Sequence, residues 1–314
     1  CSRMFVFERE QYIYDVGGVK IGGNLGENPT VLAGTIFYAG DKSVTDSKKG
    51  RFNQEDAITR LSKQDEISDI TGNPALIQVF SESQTAMEKY IDFVTGLTDT
   101  PILVDSTDSA VRIAGLMYAE EVGLLDRVIY NSINLSATDD EINALKELQH
   151  ECAIVLAFNP EDQSIAGRRA VLENGAISLK TGLLTICEEV GVSKPLIDTT
   201  ATAMGAGAGS AVSFTFVSKT VYGHPTGCGI HNAPSSWAWL RKHKKDNRDA
   251  FTACDISSNL VAQALGADFL LYGPISNAGQ VFPAVAMADI FAAEAAKLEF
   301  GIEPHETHPY KRLL

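Results

Sequence analysis

Basic residues are scarce in this 314-residue chain: 26 Lys and Arg stand against 40 Asp and Glu, a formal net charge of -14 at pH 7. That balance excludes nucleic acid as a partner, because neutralising a phosphate backbone takes a basic surface. It still leaves room for a local basic patch. The one dense basic run, Arg241-Lys242-His243-Lys244-Lys245, reads as a solvated helix face. Long apolar runs are missing as well. No stretch approaches the roughly 18 uninterrupted apolar residues of a membrane helix, and the start lacks the basic-then-apolar order of an export signal. We expect a cytoplasmic protein with no direct membrane insertion. Cysteines in paired spacing are also absent. Cys1, Cys152, Cys187, Cys228 and Cys254 are scattered, as expected of buried thiols in a reducing compartment, so no disulfide is assigned.

What is present is alternation. With 45% hydrophobic and 21% charged residues the chain can bury one large core. Met4-Phe5-Val6-Phe7 reads as a natural beginning, so residues 4–314 are expected to form one domain and Cys1-Ser2-Arg3 to be a processing remnant. Apolar, β-branched runs predict strands over Val31–Tyr38, Ala75–Phe80, Pro101–Val104, Arg127–Tyr130, Ala153–Ala157, Pro195–Ile197, Thr226–Ile230 and Phe269–Tyr272. Helices are predicted between them over Glu55–Ile70 behind Asn53, Gln84–Leu97 behind Ser83, Ala110–Val122 behind Ser109 and Asp139–Glu151. Later ones cover Ala176–Val190, Trp237–Lys245, Ser257–Leu265 and Val281–Phe300. Eight strand-then-helix units with short links define an α/β chain of the closed (β/α)8 TIM-barrel type. Ahead of them, Gly17-Gly18 and Gly22-Gly23 flank Val19-Lys20-Ile21, a hairpin placed to plug the barrel bottom.

In such a barrel, chemistry sits where strands end and loops begin. Polar residues collect there: Asp105, Asn131, Asn159 and Asp198 each follow an apolar strand, and Asn232 follows the seventh. Two carboxylates and several amides without a lysine suit a neutral heterocycle rich in donors and acceptors. A pterin is one, since its N3-H and 2-amino group form a guanidine-like edge that a carboxylate accepts in parallel. Each residue has a bland reading too. Asp105, before Ser106, Thr107 and Asp108, serves equally as a helix cap, and Asn159-Pro160 is a turn-starting dipeptide.

Five stretches carry a resemblance: Gly18-Val19-Lys20-Ile21-Gly22-Gly23, Gly34-Thr35-Ile36-Phe37-Tyr38, Val104-Asp105-Ser106-Thr107, Tyr130-Asn131-Ser132 and Gly229-Ile230-His231-Asn232-Ala233-Pro234-Ser235. From Met4 to Leu314 the chain resembles the MtrH family of tetrahydromethanopterin S-methyltransferase, which includes methylcorrinoid:tetrahydrofolate methyltransferases of glycine betaine metabolism. The resemblance implies a pterin-binding barrel in which Asp105, Asn131 and Asp198 hold the ring, with Asn159 as a less specific member. It implies that Asn232 approaches the methyl-bearing N5. The pattern is more distantly similar to other pterin-binding methyltransferase barrels, and there His231, beside Asn232, is a departure, standing where those barrels usually carry a non-ionisable residue; which of the two faces N5 is left open.

The resemblance further implies tetrahydrofolate or tetrahydromethanopterin as methyl donor or acceptor, a corrinoid protein as partner, and a homodimer. None of His150, His224, His231, His243, His305 or His308 sits in a cobalamin-binding Asp-x-His-x-x-Gly sequence, so the corrinoid is expected on the partner. The anion departing at N5 would be very basic, which calls for hydrogen bonding by Asn232 and a proton from Asp105 or water. The competing reading is a catalytically silent scaffold subunit of a membrane methyltransferase complex, which would lack the rim residues.

Three further signals have plain readings. Gly205-Ala206-Gly207-Ala208-Gly209-Ser210 lacks the lysine of a phosphate loop and is expected to be a mobile loop at the barrel mouth. Cys228 and His231 alone are too few ligands for zinc, so no metal is assigned. Trp237 and Trp239 are spaced to occupy different helix faces, one in the core and one free for a partner.

Overall fold

The computed structural model describes residues 6–148, 150–177 and 179–314; the expectations for Cys1-Ser2-Arg3 and for a start at Met4 lie outside the described residues. Two antiparallel strands, β1 (Ile13–Val16) and β2 (Val19–Gly22), form the expected hairpin. The first barrel strand, β3 (Val31–Ile36), leads into a small two-stranded excursion, β4 (Val44–Asp46) and β5 (Arg51–Phe52). Then follow α1 (Gln54–Thr71), β6 (Ala75–Phe80), α2 (Gln84–Thr95), β7 (Ile102–Asp105), α3 (Ser109–Glu121), β8 (Val128–Ile133), α4 (Asp139–Glu147) and β9 (Cys152–Leu156). The second half runs α5 (Ile165–Glu173), α6 (Leu183–Glu189), β10 (Lys194–Asp198), α7 (Ala208–Tyr222) and β11 (Thr226–Cys228). It closes with α8 (Asn232–Ser236), α9 (Ala238–His243), α10 (Arg248–Ala264), β12 (Phe269–Pro274), α11 (Ala278–Phe300) and α12 (Pro309–Arg312).

Eight parallel strands close in the order β10-β11-β12-β3-β6-β7-β8-β9, so the (β/α)8 TIM barrel with an N-terminal hairpin is the fold of this protein. All eight strand runs read from the sequence are barrel strands. The hairpin plugs the end where strands begin: the Gly17 amide donates to the Asp126 carbonyl (2.9 Å), and Val16 and Ile21 share one buried cluster with interior-facing Ala33, Leu76, Leu103, Ile129, Ile154, Leu196 and Leu271. Gly17 is required there. At φ 54 its backbone lies so close to Arg127 that an added Cβ would sit 2.5 Å from the Arg127 Cβ.

Helix ends follow their caps, with corrections. Asn53 and Ser83 cap α1 and α2 as expected, but α3 is capped by Asp108, whose carboxylate accepts from the Ala110 amide at 2.9 Å, and not by Ser109. The Ala176–Val190 helix shrinks to α6, because Gly175 at φ 82 and the closely packed Gly182 build a turn first. Helices α5 and α7 have no counterpart among those expected from the sequence, and α10 starts at Arg248, capped by Asn247, well before Ser257. The glycine run is only half loop: Gly207, at φ 100, precedes α7, and Ala208 to Ser210 are its first residues. Trp237 and Trp239 do not diverge. Trp237 is extended between α8 and α9, which brings the two rings to 4.9 Å.

Among the described residues no helix is long and apolar enough to cross a membrane.

Candidate active site

Side chains on a strand alternate between faces, so the residue two beyond an interior apolar position is interior again. Applied to Ala33, Leu76, Leu103, Ile129 and Leu196, this places Thr35, Gln78, Asp105, Asn131 and Asp198 in the next layer, at the C-terminal mouth. The register supports one ring of polar groups: Thr35 pairs with Gln78, and Asp105 with Asn131. The Thr35 hydroxyl donates to Gln78 Oε1 (3.0 Å), and Gln78 Nε2 donates to Asp105 Oδ2 (2.6 Å). Because Asp108 caps α3, the Asp105 carboxylate is free for this network. Neither Thr35 nor Gln78 stands among the sequence-predicted site residues, although a glutamine inside Ala75-Leu76-Ile77-Gln78-Val79-Phe80 is a visible anomaly.

Asp198 is buried, and its Oδ1 accepts the Thr200 amide at 2.6 Å. Thr200 holds φ 53, a left-handed conformation costly for a β-branched residue. Arg168 helps fix this corner. Fully buried on α5, it donates to the carbonyls of Ala157 (3.0 Å), Gln163 (3.3 Å) and Thr199, tying the end of β9 to the end of β10. A second buried cation stands behind the β7–β8 edge. Arg112 donates to the Ser106 carbonyl (2.8 Å), the Tyr130 hydroxyl (3.1 Å) and Glu141 (2.7 Å).

Electrostatically the mouth is poised. Burial raises the Asp105 carboxyl to about 6 against the opposing Gln78 hydrogen bond and Arg112 charge. Burial likewise raises Asp198 to about 6, opposed by the Thr200 amide and Arg168 and reinforced by the charge of Asp105. Both carboxylates are ionised at neutral pH with little margin, and the charge of Asp105 is felt at Asp198 across the mouth.

The remaining predicted residues differ in placement. Asn159 is buried, but its Oδ1 accepts the amides of Glu161 (3.0 Å) and Asp162 (3.3 Å), so it makes the turn its dipeptide announced. Asn232 begins α8, exposed, with its Nδ2 folded back to 3.2 Å from where a Cβ on Gly229 would stand, a point 3.8 Å from the Cβ of interior Leu271 just below the mouth ring. His231 turns the other way. Its ring packs on the Gly273 backbone and lines an outer cleft, and burial lowers it to about 4, a neutral imidazole at physiological pH.

This architecture defines the class first: a closed (β/α)8 barrel with an acid-and-amide ring at its mouth. By shape it is similar to dihydropteroate synthases, such as that of Yersinia pestis in a sulfonamide drug complex, at a TM-score of 0.62 and 11% identity, covering 90% of this chain and 100% of that one. At that identity the likeness concerns the fold alone. The family model of the tetrahydromethanopterin S-methyltransferase MtrH subunit matches residues 9–305, and the chain belongs to that family. It is 50% identical over 311 residues to the MtrH-type subunit of tetrahydromethanopterin S-methyltransferase from Methanothermobacter thermautotrophicus, covering 99% of this chain and 100% of that one. The corresponding subunit of Methanocaldococcus jannaschii is 48% identical over 320 residues, covering 99% and 100%.

Proposed function

We propose that the chain is a methyltransferase that holds a tetrahydropterin in its barrel mouth and passes the N5 methyl between that pterin and a corrinoid protein. The observation that carries this reading is the inward pair Asp105 and Asp198 flanking Asn131, with carboxylate acceptor positions to spare. A pterin fits this donor set: its guanidine-like edge offers parallel N-H groups to an ionised carboxylate, while Asn131 and Gln78 can meet the ring nitrogens and oxo group. Asn159 serves the site indirectly, by shaping the loop after β9. The pterin is tetrahydromethanopterin or tetrahydrofolate, and the names of the relatives favour the former.

Asn232 carries the task at N5. Its amide is turned toward the mouth whereas His231 is turned away, so we assign hydrogen bonding at N5 to Asn232. That bond stabilises N5 in its protonated form, so that the pterin departs as a neutral amine when its bond to the methyl breaks, and the proton is exchanged with water or, relayed through water, with Asp105, whose carboxyl burial raises to about 6. The methyl acceptor or donor opposite is a cobalt centre supplied by the partner. Held reactants gain on the order of 7 kcal/mol from positioning, which Arg168 and Arg112 serve by fixing the loops that bear Asp198 and Asp105. On this reading the chain acts as a homodimer in contact with its corrinoid protein in the cytoplasm.

The test is methyl transfer from 5-methyltetrahydromethanopterin, and separately 5-methyltetrahydrofolate, to a reduced corrinoid protein, followed by the cobalt absorbance. Transfer with one of them supports the reading. Binding without transfer by the chain in any partner mixture would leave only the scaffold role.

A further inference from the structure

Beside the mouth lies an open cleft of about 1210 Å³ that the ring-binding reading does not use. Its walls come from the segments after β11 (His231, Ser235), at and after the end of β12 (Pro274, Asn277) and after β3 (Tyr38), together with α1 and α10. In the closed barrel these three strands are neighbours, and β12 stands opposite β8. Asp105, Asn131 and Asp198, the residues proposed to hold the ring, sit on β7, β8 and β10, an arc centred between β8 and β9. A pterin held from that arc by its 2-amino edge turns its other end, C6 beside N5, to the opposite side of the mouth, toward β12 and β3. Any substituent on C6 leads to this cleft.

The cleft carries four cations against three carboxylates in a chain with a formal net charge of -14. Lys42, Lys63, Lys244 and Arg248 face it against Glu66, Asp249 and Asp255. Of the cations, Lys244 lies 4.0 Å from the Phe251 ring, while Lys42, Lys63 and Arg248 make no ion pair among the described residues. Lys63 is aimed inward: its stem crosses Gly279, where an added Cβ would lie 3.1 Å from Cε and 3.5 Å from Nζ. That sets an ammonium against the first turn of α11, which has no side-chain cap and continues a 3-10 turn over Ile275–Asn277 whose Ile275 carbonyl already takes the Ala278 amide, so the lysine is the main positive charge at this spot. An anion would be its partner.

We infer that this cleft is the subsite for the anionic tail carried on C6 of the tetrahydropterin, with Lys63 and Arg248 as its charge partners. The inference rests on the proposed pterin reading and adds what distinguishes one tetrahydropterin from another. Both candidate pterins share the ring and carry extended acidic tails, carboxylates in one and a phosphate with carboxylates in the other. Specificity then resides outside the barrel mouth, on exposed side chains that can change without disturbing the ring site.

The test compares three ligands by calorimetry on the full chain: tetrahydromethanopterin, tetrahydrofolate triglutamate and tailless 6-methyltetrahydropterin. The wild type is expected to bind a tailed pterin roughly tenfold or more tightly than the tailless one. Lys63→Ala combined with Arg248→Ala, both exposed positions, removes most of that advantage and leaves 6-methyltetrahydropterin affinity unchanged. Raised salt erodes the advantage in the same way. Which tailed pterin loses more tells phosphate from carboxylate recognition, and competition by inorganic phosphate supports the former.

Equal binding of tailed and tailless pterins by wild type and variant overturns the inference while the ring reading stands. Equal loss of both ligands overturns it too, since the residues then act through the ring site or the fold. Unchanged pterin binding with a raised KM for the corrinoid protein assigns the cleft to that partner instead. Binding of no pterin by the wild type is a different failure, that of the proposed function itself.

Discussion

The two ends of the barrel both bury carboxylates, and they treat them differently. At the bottom, Asp289 accepts four donors: the Thr30 amide (3.0 Å) and hydroxyl (2.7 Å), Asn73 Nδ2 (2.6 Å) and Gln263 Nε2 (2.6 Å). Asp268 beside it is held by Lys219, at 2.8 Å to both oxygens, and by the Thr226 amide. At the mouth, Asp105 has one side-chain donor, Gln78, and Asp198 one backbone amide, Thr200. The proton affinities do not separate the two ends, since burial brings Asp289, Asp105 and Asp198 alike to about 6. Donor count does. A buried carboxylate with its lone pairs filled holds the fold together, whereas one with room left can still accept a donor from outside.

The comparison breaks most visibly at the bottom. Asp289→Ala strands four donors and is expected to cost about 3 to 5 kcal/mol, lowering Tm by several degrees in thermal melts with pterin affinity per folded molecule unchanged. A loss of pterin binding at preserved stability would erase the distinction. At the mouth the opposite outcome is expected. Asp105→Asn and Asp198→Asn should each weaken tetrahydropterin binding by roughly 100-fold, about 2 to 3 kcal/mol, because the amide no longer offers a charged acceptor to the ring edge. Comparable in size but confined to turnover, Asn232→Ala is expected to cut methyl transfer by about 100-fold with little change in ring affinity.

The smallest effect concerns stability and pH. A carboxylate whose pKa is raised on folding destabilises the folded state above that value, and the penalty fades as pH falls toward the unfolded value near 4. Asp198→Asn removes it. The unliganded variant should therefore be more stable than wild type by on the order of 1 to 2 kcal/mol near pH 7.5, a gain that shrinks as pH drops through about 6 to 4. Tetrahydropterin affinity of the wild type runs the other way across the same window, lost as Asp105 and Asp198 take up protons. A pH-independent Kd between about 5 and 7.5 would remove the carboxylates from the ring contact.

How far the sequence announces this arrangement depends on the residue. Strand runs are legible because buried parallel strands are continuous apolar stretches. Asp105, Asn131 and Asp198 are legible because each closes such a run, and the two-residue period of a strand then turns it inward with the apolar residue before it. Gln78 carries the same signal, yet it lies within its strand rather than at the end where polar groups are sought. Arg112 and Arg168 carry none. A buried arginine on an amphipathic helix is spelled like a solvated one, and only the fold shows that Arg168 is held by carbonyls at the ends of other strands and Arg112 by the Ser106 carbonyl, Tyr130 and Glu141. Helices α5 and α7 escape notice where glycine, serine and alanine blur the periodicity, and the tryptophan pair is misplaced because a break between α8 and α9 resets the helical spacing.

The most direct measurement is a calorimetric titration of tetrahydromethanopterin into wild type, Asp105→Asn and Asp198→Asn near pH 7.5, with thermal melts of the same samples. The account predicts one bound pterin per wild-type chain and roughly 100-fold weaker binding in both variants, with melting temperatures at or above wild type. Wild-type affinity in both variants, or weakened binding that merely tracks a lowered melting temperature, would contradict it.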